Sequence, residues 1–262
     1  MICTPICGRL TRRSLAVQRY FSLMSTHTGF KKVALVCSYQ SQFYHSTRPQ
    51  ILHGCGVFDG SEIHEATSML VHLSKAGADV FVFAPNIQQD HVTDHSTGSE
   101  VAEKSRNVLV ESARISRGKI APISELKSEK FDALLIPGGF GAATTLSNFA
   151  SAGASCEVLQ DVKRVLEDFV HAKKPIGLCC IAPVLAARCL PGVHVTTGTD
   201  AGTARAIKSM GAVHEKCEIT EVCVDENLKV VTAPAYMCAT ATIADIFDNI
   251  GLLVKKVLSL TN

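Results

Sequence analysis

Two adjacent cysteines stand within the run Lys174-Pro175-Ile176-Gly177-Leu178-Cys179-Cys180-Ile181-Ala182-Pro183, where its apolar strand-like part gives way to a helix start. A strand that ends in cysteine and turns at once into a helix holds sulfur at the apex of a tight elbow, the geometry of a mounted nucleophile. The helix would aim its dipole and free N–H groups at that sulfur and favour the thiolate. Pro183 suits a first helical turn, where no N–H is needed. Two buried structural cysteines would show the same residue types.

A second candidate is Ile136-Pro137-Gly138-Gly139-Phe140-Gly141-Ala142. Glycines after a strand let backbone amides approach a ligand closely. The N–H of Gly139, paired with that of Ile181, could hold an oxyanion. An ordinary strand-to-helix loop would read alike. The run is neither a Walker loop nor a full dinucleotide fingerprint. The third candidate, Gly60-Ser61-Glu62-Ile63-His64-Glu65, opens a helix and could place a carboxyl at the sheet's carboxyl edge. Acids in a first turn also complement the helix dipole. Periodicity puts Glu62 nearer the apolar stripe than Glu65, so it does not select Glu65.

The elements around these residues alternate between β-rich and helical runs. Strands are expected at Lys32–Cys37, Ala78–Ala84, Phe131–Ile136, Lys174–Cys179, Val193–Thr197, Glu221–Val224 and Lys229–Thr232. Helices are expected at Glu62–Ala76 (with Asp59 and Glu62 as a capping box), Asn107–Arg117, Glu157–Ala172, Ile181–Leu190, Thr203–Met210 and Ala239–Leu260. Residues 86–104 read as loop. Alternation of this kind predicts an α/β fold: three layers, a flavodoxin-like mainly parallel sheet with helices on both faces. With no linker or repeat visible, residues 31–262 read as one domain. Residues 38–53 (SYQSQFYHSTRPQILH) are too long and polar for a strand-to-helix turn. They read as an insertion running over the surface.

Of the 262 residues, 47% are apolar, which excludes a disordered chain. The longest nearly apolar run, Ile176–Ala187, is too short to span a bilayer. No acid precedes Asp59, and the first 21 residues carry Arg9, Arg12, Arg13 and Arg19 among hydroxyl and apolar residues. That composition predicts a mitochondrial transit peptide and linker over residues 1–30, and hence a matrix location. Without residues 1–21 the chain has 22 basic against 24 acidic residues, so no basic face invites nucleic acid. The eleven cysteines include no C-x-x-C pair, and the ten histidines show H-x-x-x-H spacing at His91 and His95, within a stretch read as loop. Neither a disulfide framework nor a metal site is expected.

Five runs are similar to one superfamily: GCGVFDGSEIHEA (54–66), SRNVLVESARISRGKI (105–120), IPGGFGAATTLSNFA (136–150), KPIGLCCIAPVLAA (174–187) and VVTAPAYM (230–237). They resemble the PfpI and class I glutamine-amidotransferase-like superfamily, in particular its ElbB-type glyoxalase branch with the mitochondrial ES-one group. The resemblance assigns the nucleophile to Cys180, because Ile-Ala-Pro follows it. Cys179 is then the last strand residue, its side chain on the opposite face by alternation. The family's acid lies twelve residues before the glycine ending the first helix. That glycine is Gly77, which selects Glu65. A glutamate kept protonated by burial could donate to the sulfur and favour thiolate.

Departures from the superfamily narrow the activity. Ile181 stands where proteases carry histidine, and no late His-x-Glu pair follows the last strand, which argues against proteolysis and glutamine hydrolysis. His194 and His214 read as strand or surface residues. The resemblance implies cofactor-free glyoxalase chemistry on a small reactive carbonyl, a 2-oxoaldehyde converted to a 2-hydroxy acid, with a homodimer suggested by analogy. The alternative is a non-catalytic mitochondrial binding, redox-sensing or organelle-maintenance protein that keeps the pocket.

Overall fold

The structure, a computed structural model, describes residues 47–102 and 106–261. Along the chain these form β1 (Thr47–Ile51), α1 (Ile63–Lys75), β2 (Asp79–Ala84), a small hairpin of β3 (Thr93–Asp94) and β4 (Ser99–Glu100), α2 (Val108–Ser116), β5 (Ala121–Pro122), β6 (Leu134–Ile136), and short α3 (Gly141–Thr144) and α4 (Phe149–Ala152). There follow α5 (Gln160–His171), β7 (Ile176–Cys179), α6 (Pro183–Cys189), β8 (His194–Val195), α7 (Ala201–Ser209), β9 (Val213–His214), β10 (Cys223–Asp225), β11 (Val230–Ala233) and α8 (Ile243–Ser259).

Seven strands pair in the order β10-β11-β7-β6-β1-β2-β5. All neighbours are parallel except β10 with β11. One face of the sheet packs on α5 and α6 through Val162, Leu166, Phe169, Val184 and Leu185. The other packs on α1 and α8 through Met69, Leu73, Ile250, Leu253 and Val257. The expected three-layer α/β architecture is therefore present. Among the described residues, strand β8 pairs with β9 alone, outside the main sheet.

Two expectations change. The expected strand Lys32–Cys37 lies outside the described residues, as do positions 38–46 of the expected insertion. The remainder of that segment is no surface excursion: Thr47–Ile51 is β1, central in the sheet and in register with Asp79–Phe83 of β2. Its polar residues enter the interior by finding partners. Arg48 reaches Asp132 at 2.7 Å, and Gln50 Nε2 donates to the Ala66 carbonyl at 3.2 Å. Among the described residues the accommodation is incomplete, because Arg48 Nε and Gln50 Oε1 have no partner there. The second change is at the start of α1. Its N-cap is Glu62, whose carboxylate accepts from the Glu65 amide at 2.7 Å, whereas Asp59 accepts from the Thr93 amide.

The chain order reverses between β1 and β6, so the loops leaving these two strands diverge at a topological switch point, where α/β sheets place their sites. Those loops, His53–Gly60 and Pro137–Phe140, are tied to each other where they enter their helices. The Glu62 amide donates to the Gly138 carbonyl at 2.8 Å, and the Gly141 amide to the Gly60 carbonyl at 3.1 Å. The β7 elbow lies next to them, one strand over.

Candidate active site

Strand β7 stops at Cys179 and α6 starts at Pro183. Cys180 turns the chain between them with φ +59°, a left-handed conformation that costs an L-residue about 1–2 kcal/mol. Its own amide donates to the Ala233 carbonyl at 3.0 Å, which ties the elbow to β11. The amides of Gly139 and Ile181 bear on the Cys180 thiol in the sense that favours its ionised form.

Glu65 projects from the first turn of α1 and is fully buried. Its Oε2 accepts from the Gly138 amide at 2.8 Å, and its Oε1 from the Tyr236 amide at 3.3 Å. The Cys180 thiol faces the same carboxylate. Gly138 fills the gap between them: a Cβ there would stand 2.6 Å from Glu65 Oε2 and 3.0 Å from Cys180 Sγ. Gly139 has φ +104°, and a side chain on it would run into the Gly60 carbonyl. Both glycines are needed for the loop to lie between acid and thiol.

Cys179 departs from its expected place. Its Sγ lies 3.4 Å from Glu65 Oε2, on the same side as Cys180. Alternation holds only while both residues belong to a strand. The left-handed turn at Cys180 swings that side chain back toward the one before it, so two adjacent thiols address one carboxylate.

The electrostatics also differ from expectation. Cys180 is only 8% exposed. Burial, and next the Glu65 carboxylate, push its thiol well above the usual range, against the two amides. Helix α6 begins three residues later and has only seven residues, so it does not reverse the sign. Cys180 rests as a neutral thiol rather than as the expected thiolate. Burial pushes Glu65 up to about 7, with the Glu62 charge adding to it and the Tyr236 amide, the Cys179 thiol and the Gly138 amide opposing. A thiol beside a carboxylate that titrates near neutrality can lose its proton to that carboxylate as it attacks.

Sequence reasoning missed three neighbours. Tyr236 lies in a short turn after β11, packs against the cluster that holds both cysteines, and supplies an amide to Glu65. Its hydroxyl lies 2.7 Å from His64 Nδ1, and that nitrogen is 3.6 Å from Glu62 Oε1. His53 is buried below the Gly-rich loop, with Nε2 donating to the Pro137 carbonyl at 3.2 Å. Burial pushes it down to about 4. VVTAPAYM carried the signal for Tyr236, without a role. His194 and His214 stand in β8 and β9, as expected, and His194 pairs with Glu215 at 2.8 Å.

A profile of the DJ-1/PfpI family matches residues 55–246. The rat protein named ES1 protein homolog, mitochondrial, is 52% identical over 233 residues, spanning 83% of this chain and 87% of its own length. The human glutamine amidotransferase-like class 1 domain-containing protein 3, mitochondrial, is 54% identical over 220 residues, spanning 80% of this chain and 82% of its own. Among solved structures, the Ehrlichia chaffeensis isoprenoid biosynthesis protein with amidotransferase-like domain superposes with a TM-score of 0.76 at 35% identity, covering 82% of this chain and 99% of that one. These matches establish that the chain belongs to the DJ-1/PfpI family.

Proposed function

We propose that the chain is a mitochondrial, cofactor-free enzyme of glyoxalase type. Mitochondrial placement is supported by the names of the rat and human relatives and by the arginine-rich, acid-free leader. Among the described residues no helix is long and apolar enough to cross a membrane. The observation that carries the reading is the buried Glu65 carboxylate held by the Gly138 amide beside Cys180, so close that a Cβ on Gly138 would meet both.

In the reaction, Cys180 sulfur bonds to the aldehyde carbon of a 2-oxoaldehyde while the thiol proton passes to Glu65. The amides of Gly139 and Ile181 hold the alkoxide that forms. Glu65 returns that proton to the alkoxide, completing the hemithioacetal. As a carboxylate again, it takes the proton of the former aldehyde carbon and delivers it to the neighbouring carbonyl carbon through an enediol, while the hydroxyl proton passes to the former carbonyl oxygen. The product is a thioester of a 2-hydroxy acid. Water cleaves it, the acid leaves and Cys180 regains its proton. The net change is the addition of one water to the oxoaldehyde, so no external oxidant or reductant is needed.

The test is turnover of methylglyoxal by the full chain. Cys180→Ser should fall to background, and Glu65→Gln by about 10²–10⁴-fold. Because the base form of Glu65 is required, the wild-type rate should rise with pH through about 7. Equal turnover in all three proteins would sink the assignment. One observation favours a second reading, a non-catalytic binding protein: Cys180 is buried and its thiol held neutral, which disfavours both nucleophilic attack and oxidation. Absence of turnover in the wild type, with Cys180 oxidised by mild peroxide no faster than the other cysteines, would select it.

A further inference from the structure

We propose that Cys179 is a positioning residue, its buried thiol holding the Glu65 carboxylate in its acceptor form and turned toward Cys180. The inference deepens the reading of Cys180 and Glu65 as the reacting pair and rests on it.

Cys179 has no exposed surface, so its thiol has no solvent to bond. Its Sγ is 3.4 Å from Glu65 Oε2, within reach of an S–H donor. The same oxygen takes the Gly138 amide at 2.8 Å, and the other oxygen takes the Tyr236 amide at 3.3 Å. Three donors thus surround a carboxylate that burial would otherwise drive to its protonated form. Two of them are backbone groups fixed by the fold. Cys179 adds a side-chain donor from the last residue of β7, and the elbow at Cys180 brings the second thiol round to the same carboxylate. The remaining groups that face Glu65 are Glu62, from the cap of its own helix, and the Cys180 thiol. His64 meets Glu62 and Tyr236 at the rim. Glu62 works against ionisation of Glu65 and the Cys179 thiol works for it. A donor to the charged form lowers a carboxyl's titration point. Removing the thiol should therefore leave Glu65 protonated at neutral pH and unable to take the Cys180 proton.

The experiment compares wild type, Cys179→Val and Cys179→Ser, each checked for folding by its thermal midpoint. Glu65 is titrated directly by carboxyl carbon NMR, with Glu65→Gln identifying its signal. In parallel, Cys180 alkylation by iodoacetamide is followed against pH. Valine keeps the bulk and loses the donor, so both midpoints should move alkaline by about half to one pH unit. At pH 6 that lowers alkylation about three- to tenfold. Serine restores a donor and should keep both midpoints at or below the wild-type values. Unchanged midpoints in the valine variant would overturn the proposal. So would a serine variant displaced as far as valine, because that pattern reports packing rather than donation. Neither readout needs turnover, so a failure here is distinct from a failure of methylglyoxal conversion.

Discussion

Gly138 has no room for a side chain, because the space a methyl would occupy is filled by Cys180 Cβ and Glu65 Oε2. Gly138→Ala must displace either the acid or the elbow. Overpacking of this kind costs about 1–3 kcal/mol, to be read by denaturant unfolding. It should also remove the pH dependence of Cys180 alkylation that Glu65 imposes. A variant as stable as wild type with an unchanged alkylation profile would mean that the loop yields freely and that the close approach has no role. The residue types at this site were legible where chemistry needs an unusual residue: glycine beside a strand end, cysteine before Ile-Ala-Pro. The choice of Glu65 over Glu62 was not legible in periodicity and came from family resemblance alone. What sets Glu65 apart in the structure is long-range: the Gly138 and Tyr236 amides it accepts from are 73 and 171 residues away in sequence, and no local pattern announces them.

The elbow is the element that gives the site its geometry, and its strain can be measured. Cys180 holds φ +59°, which glycine adopts without penalty. Cys180→Ala and Cys180→Gly both delete the sulfur, so their difference isolates the backbone. The glycine variant should be the more stable by about 1 kcal/mol, the left-handed cost less glycine's extra freedom when unfolded. Equal stability, or a more stable alanine, would show that the turn stores no strain. Elements with strong local signals lay close to expectation. Strand β2 is the apolar run stopped by Pro85, and α2 runs from the Asn107 cap to the left-handed Arg117 and Gly118. Strand β1 was illegible for a physical reason. Thr-Arg-Pro-Gln-Ile carries none of the apolar continuity of a buried parallel strand, and it is held by neighbours on both sides and by tertiary partners for its polar groups. The position of Cys179 was misread because a rule for strands was applied across the residue at which the strand ends.

Across the molecule, two fully buried ionisable groups bias stability with pH in opposite directions. Glu65 is raised from 4.5 to about 7, so the folded state holds its proton more tightly than the unfolded chain does. Its contribution favours folding at acid pH and fades as pH rises from 4.5 through about 7. His53 is lowered from 6.5 to about 4, so the folded state resists its protonation. That contribution is complete above 6.5 and is lost as pH falls toward 4. Each is worth about 1.4 kcal/mol per pH unit where the folded and unfolded forms differ in protonation. Between about 4.5 and 6.5 the two slopes oppose and nearly cancel, and a single variant should unmask either one. Glu65→Gln leaves His53 uncompensated. Relative to wild type, its unfolding free energy should drop by about 3 kcal/mol on going from pH 6.5 to 4.5. His53→Gln keeps a donor for the Pro137 carbonyl and leaves Glu65 uncompensated, so its stability should rise relative to wild type over the same fall in pH. Denaturant unfolding at three or four pH values separates the three proteins. Parallel curves would show that neither group titrates differently when buried, and would remove the physical basis for treating Glu65 as a base poised near neutrality.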